Sequence, residues 1–184
     1  MALRRQLTVV PDSRFPTRMP TDSVVHQLAI RAGNKLRDEH LSLATAESCT
    51  GGMIAAAITD ISGSSQWFER GFVTYSNQAK IEMIGVPPDL IDKHGAVSEP
   101  VARAMAEGAL RNSRAQVALS VTGIAGPAGG SEKKPVGTVS FAWSNRLHTD
   151  VETRVFKGDR EQIRTQAAVH ALRGLLKLLD EREG

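Results

Sequence analysis

Ser48 and Cys49 place a hydroxyl and a thiol side by side, where a short apolar run changes to a helical pattern. The first turn of a helix leaves backbone N–H groups without partners and carries a partial positive charge, and both features suit a developing oxyanion. Gly51 and Gly52 follow; they weaken the helix but let a ligand approach the backbone closely. The segment therefore predicts a nucleophile at a helix start, although serine is also an ordinary helix cap.

A serine nucleophile needs a base, because its hydroxyl is almost un-ionised near neutral pH. No histidine falls in a segment that the pattern brings near Ser48, which makes Lys80 the better candidate. Lys80 lies in the first turn of a helix predicted to open at Ser76 or Asn77, where the helix dipole and burial would both lower its pKa. The alternative is a solvated surface lysine, which is the commoner outcome for this residue type.

Tyr75 is the single tyrosine of the chain and directly precedes that helix. Its phenol would either bridge Ser48 and Lys80 or leave its hydroxyl in water while the ring packs on the core. Cys49 is the rival nucleophile, because a thiol at a helix N-terminus has a lowered pKa and would act without the lysine. The two assignments predict opposite results when Ser48 or Cys49 is replaced.

A glycine-rich loop from Thr122 to Gly130, continuing to Pro135, separates two predicted strands. It matches neither the P-loop nor the dinucleotide-binding fingerprint. Long loops in compact domains are often binding elements, and exposed N–H groups here could hold an anion. Arg160, at the start of the last predicted helix, adds a cationic side chain to a second helix dipole. The plainer alternative is a connecting loop and a surface arginine beside an ordinary cap.

The composition argues against several classes of protein. The net charge of +3 equals that of residues 1–20, which hold four arginines and one aspartate, and aromatic residues make up 4% of the chain, so nucleic-acid binding is not expected. One cysteine and five widely spaced histidines predict no disulfide and no metal site. No apolar run approaches the ~20 residues of a membrane span, and the start lacks a signal-peptide core. We expect a cytoplasmic protein that needs no cofactor.

Helices and strands alternate in the first part of the chain, and consecutive strands follow later. This order predicts a three-layer α/β/α single domain with a mixed β-sheet over residues 21–184. Residues 1–20, with three prolines and no periodicity, are interpreted as a disordered or mobile tail. Thr21 or Asp22 would cap the first helix, and Pro87 with Pro88 would end the helix that carries Lys80. The predicted strands are 41–46, 68–75, 117–121, 136–143 and 151–156.

Five segments in fixed order carry a further resemblance. They are 45–52 (TAESCTGG), 71–80 (GFVTYSNQAK), 94–99 (HGAVSE), 122–127 (TGIAGP) and 134–139 (KPVGTV). Together they resemble the CinA C-terminal domain family over roughly residues 22–180. Agreement across several motifs is far more specific than any one of them.

The resemblance implies nicotinamide-nucleotide amidohydrolase activity, in which nicotinamide mononucleotide and water give nicotinate mononucleotide and ammonia. The family is regarded as serine/lysine amidases, and its motif positions fall on Ser48 as nucleophile, Lys80 as base and Tyr75 as a supporting hydroxyl. In that mechanism, backbone N–H groups near Thr50 and Gly51 hold the oxyanion.

The small-molecule nucleotide substrate would contact further residues. Its phosphate is expected to meet donors of the glycine-rich loop, at Thr122, Gly123 and Gly126, or the side chain of Arg160. Glu47 would complement the positive pyridinium ring. The other residues expected to line the substrate are Cys49, Thr50, Gly51 and Gly52.

Two other hypotheses stay open. In the first, the chain is a catalytically silent binding module for a pyridine nucleotide or another small ligand. In the second, it is an interaction protein whose basic tail recruits a partner. Ammonia release separates the amidase from both, and deletion of residues 1–20 tests the last. Longer family members carry a further N-terminal domain, for which the stretch before residue 22 leaves no room, so activities of that domain are not expected. The sequence leaves open whether copies of the chain form a homo-oligomer.

Overall fold

The computed structural model describes residues 23–181, so the predicted tail lies outside the described residues. The helices in this part of the chain are α1 (Val24–Asp38), α2 (Met53–Thr59), α3 (Asn77–Ile84), α4 (Pro88–His94), α5 (Glu99–Arg111) and α6 (Arg160–Asp180). The strands are β1 (Leu43–Glu47), β2 (Phe68–Val73), β3 (Val117–Gly123), β4 (Thr138–Ser144) and β5 (Thr149–Val155). A short 3₁₀ turn spans Ser64–Gln66.

The five strands form one mixed sheet in the order β2-β1-β3-β4-β5. β1 pairs in parallel with β2 and β3, whereas β4 pairs antiparallel with β3 and β5. Glu47, the last residue of β1, lies opposite Val73 of β2 and Val121 of β3. The carboxyl ends of the three parallel strands therefore meet at one edge, where α/β proteins commonly bind ligands.

Helices cover both faces of the sheet and confirm the predicted three-layer arrangement with a mixed sheet. α1, α2 and α6 pack on the face that carries Leu43, whereas α3, α4 and α5 pack on the face that carries Ala44. Neighbouring residues of β1 face opposite layers because side chains alternate along a strand. β3 is buried along almost its whole length, as is typical of an apolar strand in the middle of a covered sheet.

A glycine brings α5 against the end of α3. A Cβ atom added at Gly108 would lie 2.1 Å from the Ile84 carbonyl oxygen, so no larger residue fits without moving the backbone. Ile84 is the last residue of the helix that carries Lys80. This close packing fixes the position of α3 relative to the sheet.

Two predicted helix boundaries are wrong. The cap of α1 is Ser23, whose hydroxyl accepts from the amide three residues later, whereas Thr21 and Asp22 lie outside the described residues. α3 ends at Ile84 and is capped by Gly85, which has a φ of +67°, in the left-handed conformation that glycine favours. The proline at 88 instead begins α4, because proline is well tolerated in a first turn and this seven-residue helix is too short to show periodicity.

α6 is the longest helix of the described chain, at 21 residues. It begins with a capping box: the Gln162 amide donates to the Asp159 carboxylate at 2.9 Å, and the Asp159 amide donates to the Gln162 side chain at 2.9 Å. Among residues 23–181, no helix combines the length and apolar character needed to cross a membrane.

Candidate active site

Ser48 begins a tight turn, residues 48–52, that joins β1 to α2. The Ser48 amide donates to the Val121 carbonyl at 2.9 Å, which extends the pairing of β1 with β3 by one residue. Gly51 and Gly52 have φ values of +62° and +93°, where a side chain would add strain. The glycines that the sequence analysis singled out are therefore required by the turn that presents Ser48.

Lys80 contacts Ser48 directly. The Lys80 Nζ atom lies 3.1 Å from Ser48 Oγ and 3.0 Å from the carbonyl oxygen of Thr74. Lys80 is only 1% exposed, and burial lowers the pKa of its ammonium group from the ordinary 10.5, because the charged form loses its hydration. No carboxylate ion-pairs with this lysine in residues 23–181. A buried amine with a reduced affinity for protons thus lies within hydrogen-bond distance of a hydroxyl.

Cys49 does not have the environment predicted for a nucleophile. Its side chain is buried in the core on the α6 face of the sheet. Burial, with a smaller contribution from the nearby Glu47 carboxylate, raises the pKa of its thiol to about 11. The predicted lowering is wrong because the side chain points into the apolar core, where the loss of hydration outweighs the helix dipole. At neutral pH this thiol is un-ionised.

Glu47 is not available to complement a pyridinium ring, which corrects the prediction made for it. The side chain is fully buried, and both carboxylate oxygens accept from backbone amides at the start of α2. The donors are Gly52 at 3.1 Å, Ile54 at 3.1 Å and Ala55 at 2.8 Å. Glu47 therefore caps α2 from the preceding strand, because a carboxylate satisfies the unpaired amides and the positive end of the helix dipole together.

The amides of the 48–52 turn differ from the predicted pair of oxyanion donors. The Gly51 amide donates to the Ser48 carbonyl at 3.0 Å and is therefore occupied. The amides of Cys49 and Thr50 have no backbone acceptor among residues 23–181. The Thr50 hydroxyl is also fully buried, and it has no hydrogen-bond partner in the part of the chain that the structure describes. The amides of this turn that donate to no carbonyl in the described chain are thus those of Cys49 and Thr50 rather than Thr50 and Gly51.

Tyr75 does not bridge the serine and the lysine, which contact each other directly. Its ring is 59% exposed, and its hydroxyl accepts from the Arg160 Nη2 atom at 2.8 Å. Arg160 Nη1 donates to the Gly126 carbonyl at 2.7 Å. Of the two positions predicted for the phenol, neither is found: the hydroxyl bonds to a side chain, and the ring lies at the surface.

The predicted binding residues at the start of the glycine-rich loop have structural contacts. The Thr122 hydroxyl is buried and donates to the Ala96 carbonyl at 2.9 Å. A Cβ atom at Gly123 would lie 3.0 Å from Cys49 Sγ and 2.7 Å from Val139, so β3 approaches the 48–52 turn closely only because this residue is glycine. Thr122 and Gly123 are the last two residues of β3 and do not belong to the loop. Their contacts therefore support the structure around the site.

Arg164 also contacts the turn and was not predicted from the sequence. Its Nε atom donates to the Cys49 carbonyl at 3.1 Å, and its Nη2 atom donates to the Thr50 carbonyl at 2.8 Å. The available signal was its spacing from Arg160, because residues four apart on a helix share one face. No group of three or more metal-ligating side chains occurs in residues 23–181.

Comparison with known proteins identifies a family that this chain matches. Residues 25–179 match the family model described as the CinA C-terminal domain. The chain is 54% identical over 156 residues to the nicotinamide-nucleotide amidohydrolase PncC of Escherichia coli K12, a match that covers 84% of this chain and 94% of the relative. It is also 54% identical to a putative competence-damage inducible protein of Symbiobacterium thermophilum, where the match covers 80% of this chain and 38% of that longer protein.

The crystal structure of the competence/damage inducible protein CihA from Agrobacterium tumefaciens has a similar fold. The two chains superpose with a TM-score of 0.82 at 45% sequence identity, over 85% of this chain and 96% of the other. The resemblance seen in the sequence motifs therefore extends to the whole architecture.

Proposed function

The chain belongs to the CinA C-terminal domain family, and on that basis we propose that it is a nicotinamide-nucleotide amidohydrolase in which Ser48 is the nucleophile and Lys80 the base. The observation that carries this proposal is the 3.1 Å contact between Lys80 Nζ and Ser48 Oγ inside a buried site. The name of the Escherichia coli relative supplies the substrate class, a nicotinamide nucleotide whose carboxamide is hydrolysed.

The hydrogen bonds and the protonation state of Lys80 suit a role as the general base. When Lys80 is neutral, its lone pair accepts a hydrogen bond from the Ser48 hydroxyl, and one of its N–H groups donates to the Thr74 carbonyl. Desolvation makes this neutral state accessible at a lower pH than for an exposed lysine. An amine held this way removes a proton from the serine as its oxygen attacks.

Acylation then follows in two steps. Ser48 Oγ bonds to the carboxamide carbon, its proton passes to Lys80, and the amide oxygen becomes an oxyanion held by the amides of Cys49 and Thr50. The protonated Lys80 returns that proton to the amide nitrogen, the C–N bond breaks, and ammonia leaves. The products of this half-reaction are an ester on Ser48 and a neutral Lys80.

Deacylation reuses the same residues. Lys80 takes a proton from water, the resulting hydroxide adds to the ester carbon, and the same amides hold the second oxyanion. Collapse breaks the bond to Ser48 Oγ, which recovers its proton from Lys80. The nicotinate nucleotide leaves, and the enzyme returns to its starting protonation state.

For the remainder of the substrate we propose contacts with Tyr75 and Arg160. The phenol accepts from Arg160, so its own O–H is still able to donate, and it supports the substrate rather than the dyad. The guanidinium of Arg160 and the exposed backbone amides at 128–130 offer donors for the phosphate. We propose these groups in place of the binding residues predicted at Glu47, Thr122 and Gly123. The polar groups of Glu47 and Thr122 form hydrogen bonds within the protein, and neighbouring side chains fill the space beside Gly123.

Replacing Arg160 with alanine tests the phosphate contact. We expect KM for nicotinamide mononucleotide to rise by about tenfold or more with a smaller change in kcat, because a ground-state contact with a remote charged group is lost. Steady-state kinetics of ammonia release measure both constants. A fall in kcat with unchanged KM would show that Arg160 acts in the transition state instead.

The function itself is tested by incubating the purified full chain with nicotinamide mononucleotide. We expect ammonia and nicotinate mononucleotide in equal amounts, quantified by a coupled ammonia assay and by chromatography. Free nicotinamide and its riboside are the selectivity controls. Saturable binding of the mononucleotide without ammonia release would favour the silent binding module and overturn the proposal.

A further inference from the structure

Arg164 joins α6 to the turn that carries Ser48. Its two hydrogen bonds, to the carbonyls of Cys49 and Thr50, span 115 and 114 residues of sequence. The Cys49 carbonyl has no other donor among residues 23–181. From these contacts we infer that Arg164 is a positioning residue, which aims the Thr50 amide at the oxyanion; the inference rests on the amidohydrolase function proposed above.

The geometry of the peptide unit carries the first step. A trans peptide is planar, so its N–H points away from its C=O. The unit between Cys49 and Thr50 has its carbonyl held by Arg164, and its N–H is therefore turned to the opposite side. That N–H belongs to Thr50 and has no acceptor in residues 23–181. Arg164 thus fixes the plane of the peptide whose amide is free.

The next peptide unit is fixed in the same way. The carbonyl of Thr50 accepts from Arg164, and the N–H of this unit, which belongs to Gly51, donates to the Ser48 carbonyl at 3.0 Å. The Thr50 carbonyl also accepts from the Met53 amide at 3.2 Å, so Arg164 reinforces this second peptide plane, which backbone hydrogen bonds already hold, and sets the first. Of the two amides, one closes the turn on Ser48 and the other is left free.

The turn needs such an external contact because of its glycines. Gly51 and Gly52 have many accessible backbone conformations, so the local sequence alone does not hold the amides in one direction. Donors that are already aimed at the developing charge cost no reorganisation during the reaction. The positive guanidinium also polarises the peptide that it bonds, which makes the opposite N–H a stronger donor.

The test replaces Arg164 with methionine, which keeps the length of the side chain but donates no hydrogen bond. We expect kcat for ammonia release to fall by about 100-fold with KM changed by less than about threefold, the pattern of a lost transition-state contact. Arg164→Lys should recover part of kcat, because an ammonium group can donate to one of the two carbonyls. Arg173→Met, an exposed arginine on the same helix, is the matched control and should match the wild type.

A second readout separates positioning from general structural damage. The pH at which kcat/KM rises reports the base, Lys80, so it should be the same in Arg164→Met as in the wild type. A kcat for Arg164→Met within about threefold of the wild type would overturn the inference. So would a raised KM at unchanged kcat, or a shifted pH profile with a lowered midpoint of thermal unfolding.

A third measurement distinguishes failure of this inference from failure of the proposed function. A fluorophosphonate reacts with an activated serine and places its P=O oxygen among the oxyanion donors, without any nucleotide. Mass spectrometry should show labelling of Ser48 in the wild type and at least about tenfold slower labelling in Arg164→Met. If the wild type is labelled in this way but releases no ammonia, the substrate is wrong and the role of Arg164 stands. If the wild type is not labelled at Ser48, both proposals fail.

Discussion

Ser48→Ala is expected to lower kcat for ammonia release from nicotinamide mononucleotide by about 10⁴-fold or more, because the variant has no oxygen with which to attack the carboxamide. The substitution removes a single atom, whose recorded contact is with Lys80. The fold should therefore persist, as judged by circular dichroism and the midpoint of thermal unfolding. The measurement is a coupled ammonia assay at saturating substrate.

The matched control is the neighbouring residue. Cys49→Ala should keep kcat within about threefold of the wild type, because a buried thiol with a pKa of about 11 is un-ionised and packs in the core. Its stability should fall slightly as a sulfur atom is lost from the core. An inactive Cys49→Ala together with an active Ser48→Ala would assign the nucleophile to the thiol.

Lys80→Met should lower kcat by about 10³-fold or more, since it removes the general base while preserving the volume of the buried side chain. Lys80→Arg is the paired variant: it keeps a cation but supplies no base, because guanidinium does not lose its proton in proteins. Both variants should be inactive in the ammonia assay. Activity retained by Lys80→Arg would show that a fixed positive charge, and not a base, is what the reaction needs.

The pH dependence of kcat/KM in the wild type tests whether Lys80 acts in its neutral form. Only neutral Lys80 can accept the serine proton, so kcat/KM should rise with pH and level off above the pKa of Lys80. Burial places that pKa below the ordinary 10.5, and the rise should therefore be centred below pH 10.5. A rise centred at or above this value would mean that the base is not a desolvated lysine.

Stability should change with pH in the same window. Between the lowered pKa of Lys80 and 10.5, the unfolded chain binds a proton at this side chain that the folded chain does not. The free energy of unfolding of the wild type therefore rises with pH there, relative to Lys80→Met, which has nothing to titrate. Urea unfolding of both proteins at several pH values measures this difference.

Much of the fold was predictable from local patterns. The apolar stripe of α1, the alternation of helices and strands and the capping box of α6 are all visible in short windows of sequence, because helix and strand periods act over a few residues. The boundaries were less predictable where one residue has two uses. Pro88 was predicted to end a helix and instead begins α4, since proline is compatible with both positions.

The roles of the site residues were also predictable only in part. The Ser48 and Lys80 pair was predicted because residue type, helix position and the family motifs agreed, and the structure brings the two side chains into contact. Glu47 and Cys49 lie beside Ser48 in the same motif but point elsewhere, Glu47 to the amides of α2 and Cys49 into the core. Adjacency in sequence did not indicate direction, because successive residues at the end of a strand face opposite layers.

By itself the sequence determined the order of the elements, the three-layer class, the family and the two residues proposed to perform the chemistry. Only the tertiary structure decided which amides of the turn are free and which side chain holds them. Arg164 lies more than 100 residues from its partners in the turn. Its contacts exist because α6 packs over the sheet beside the carboxyl end of β1, and no local propensity encodes a contact between segments so far apart in the chain.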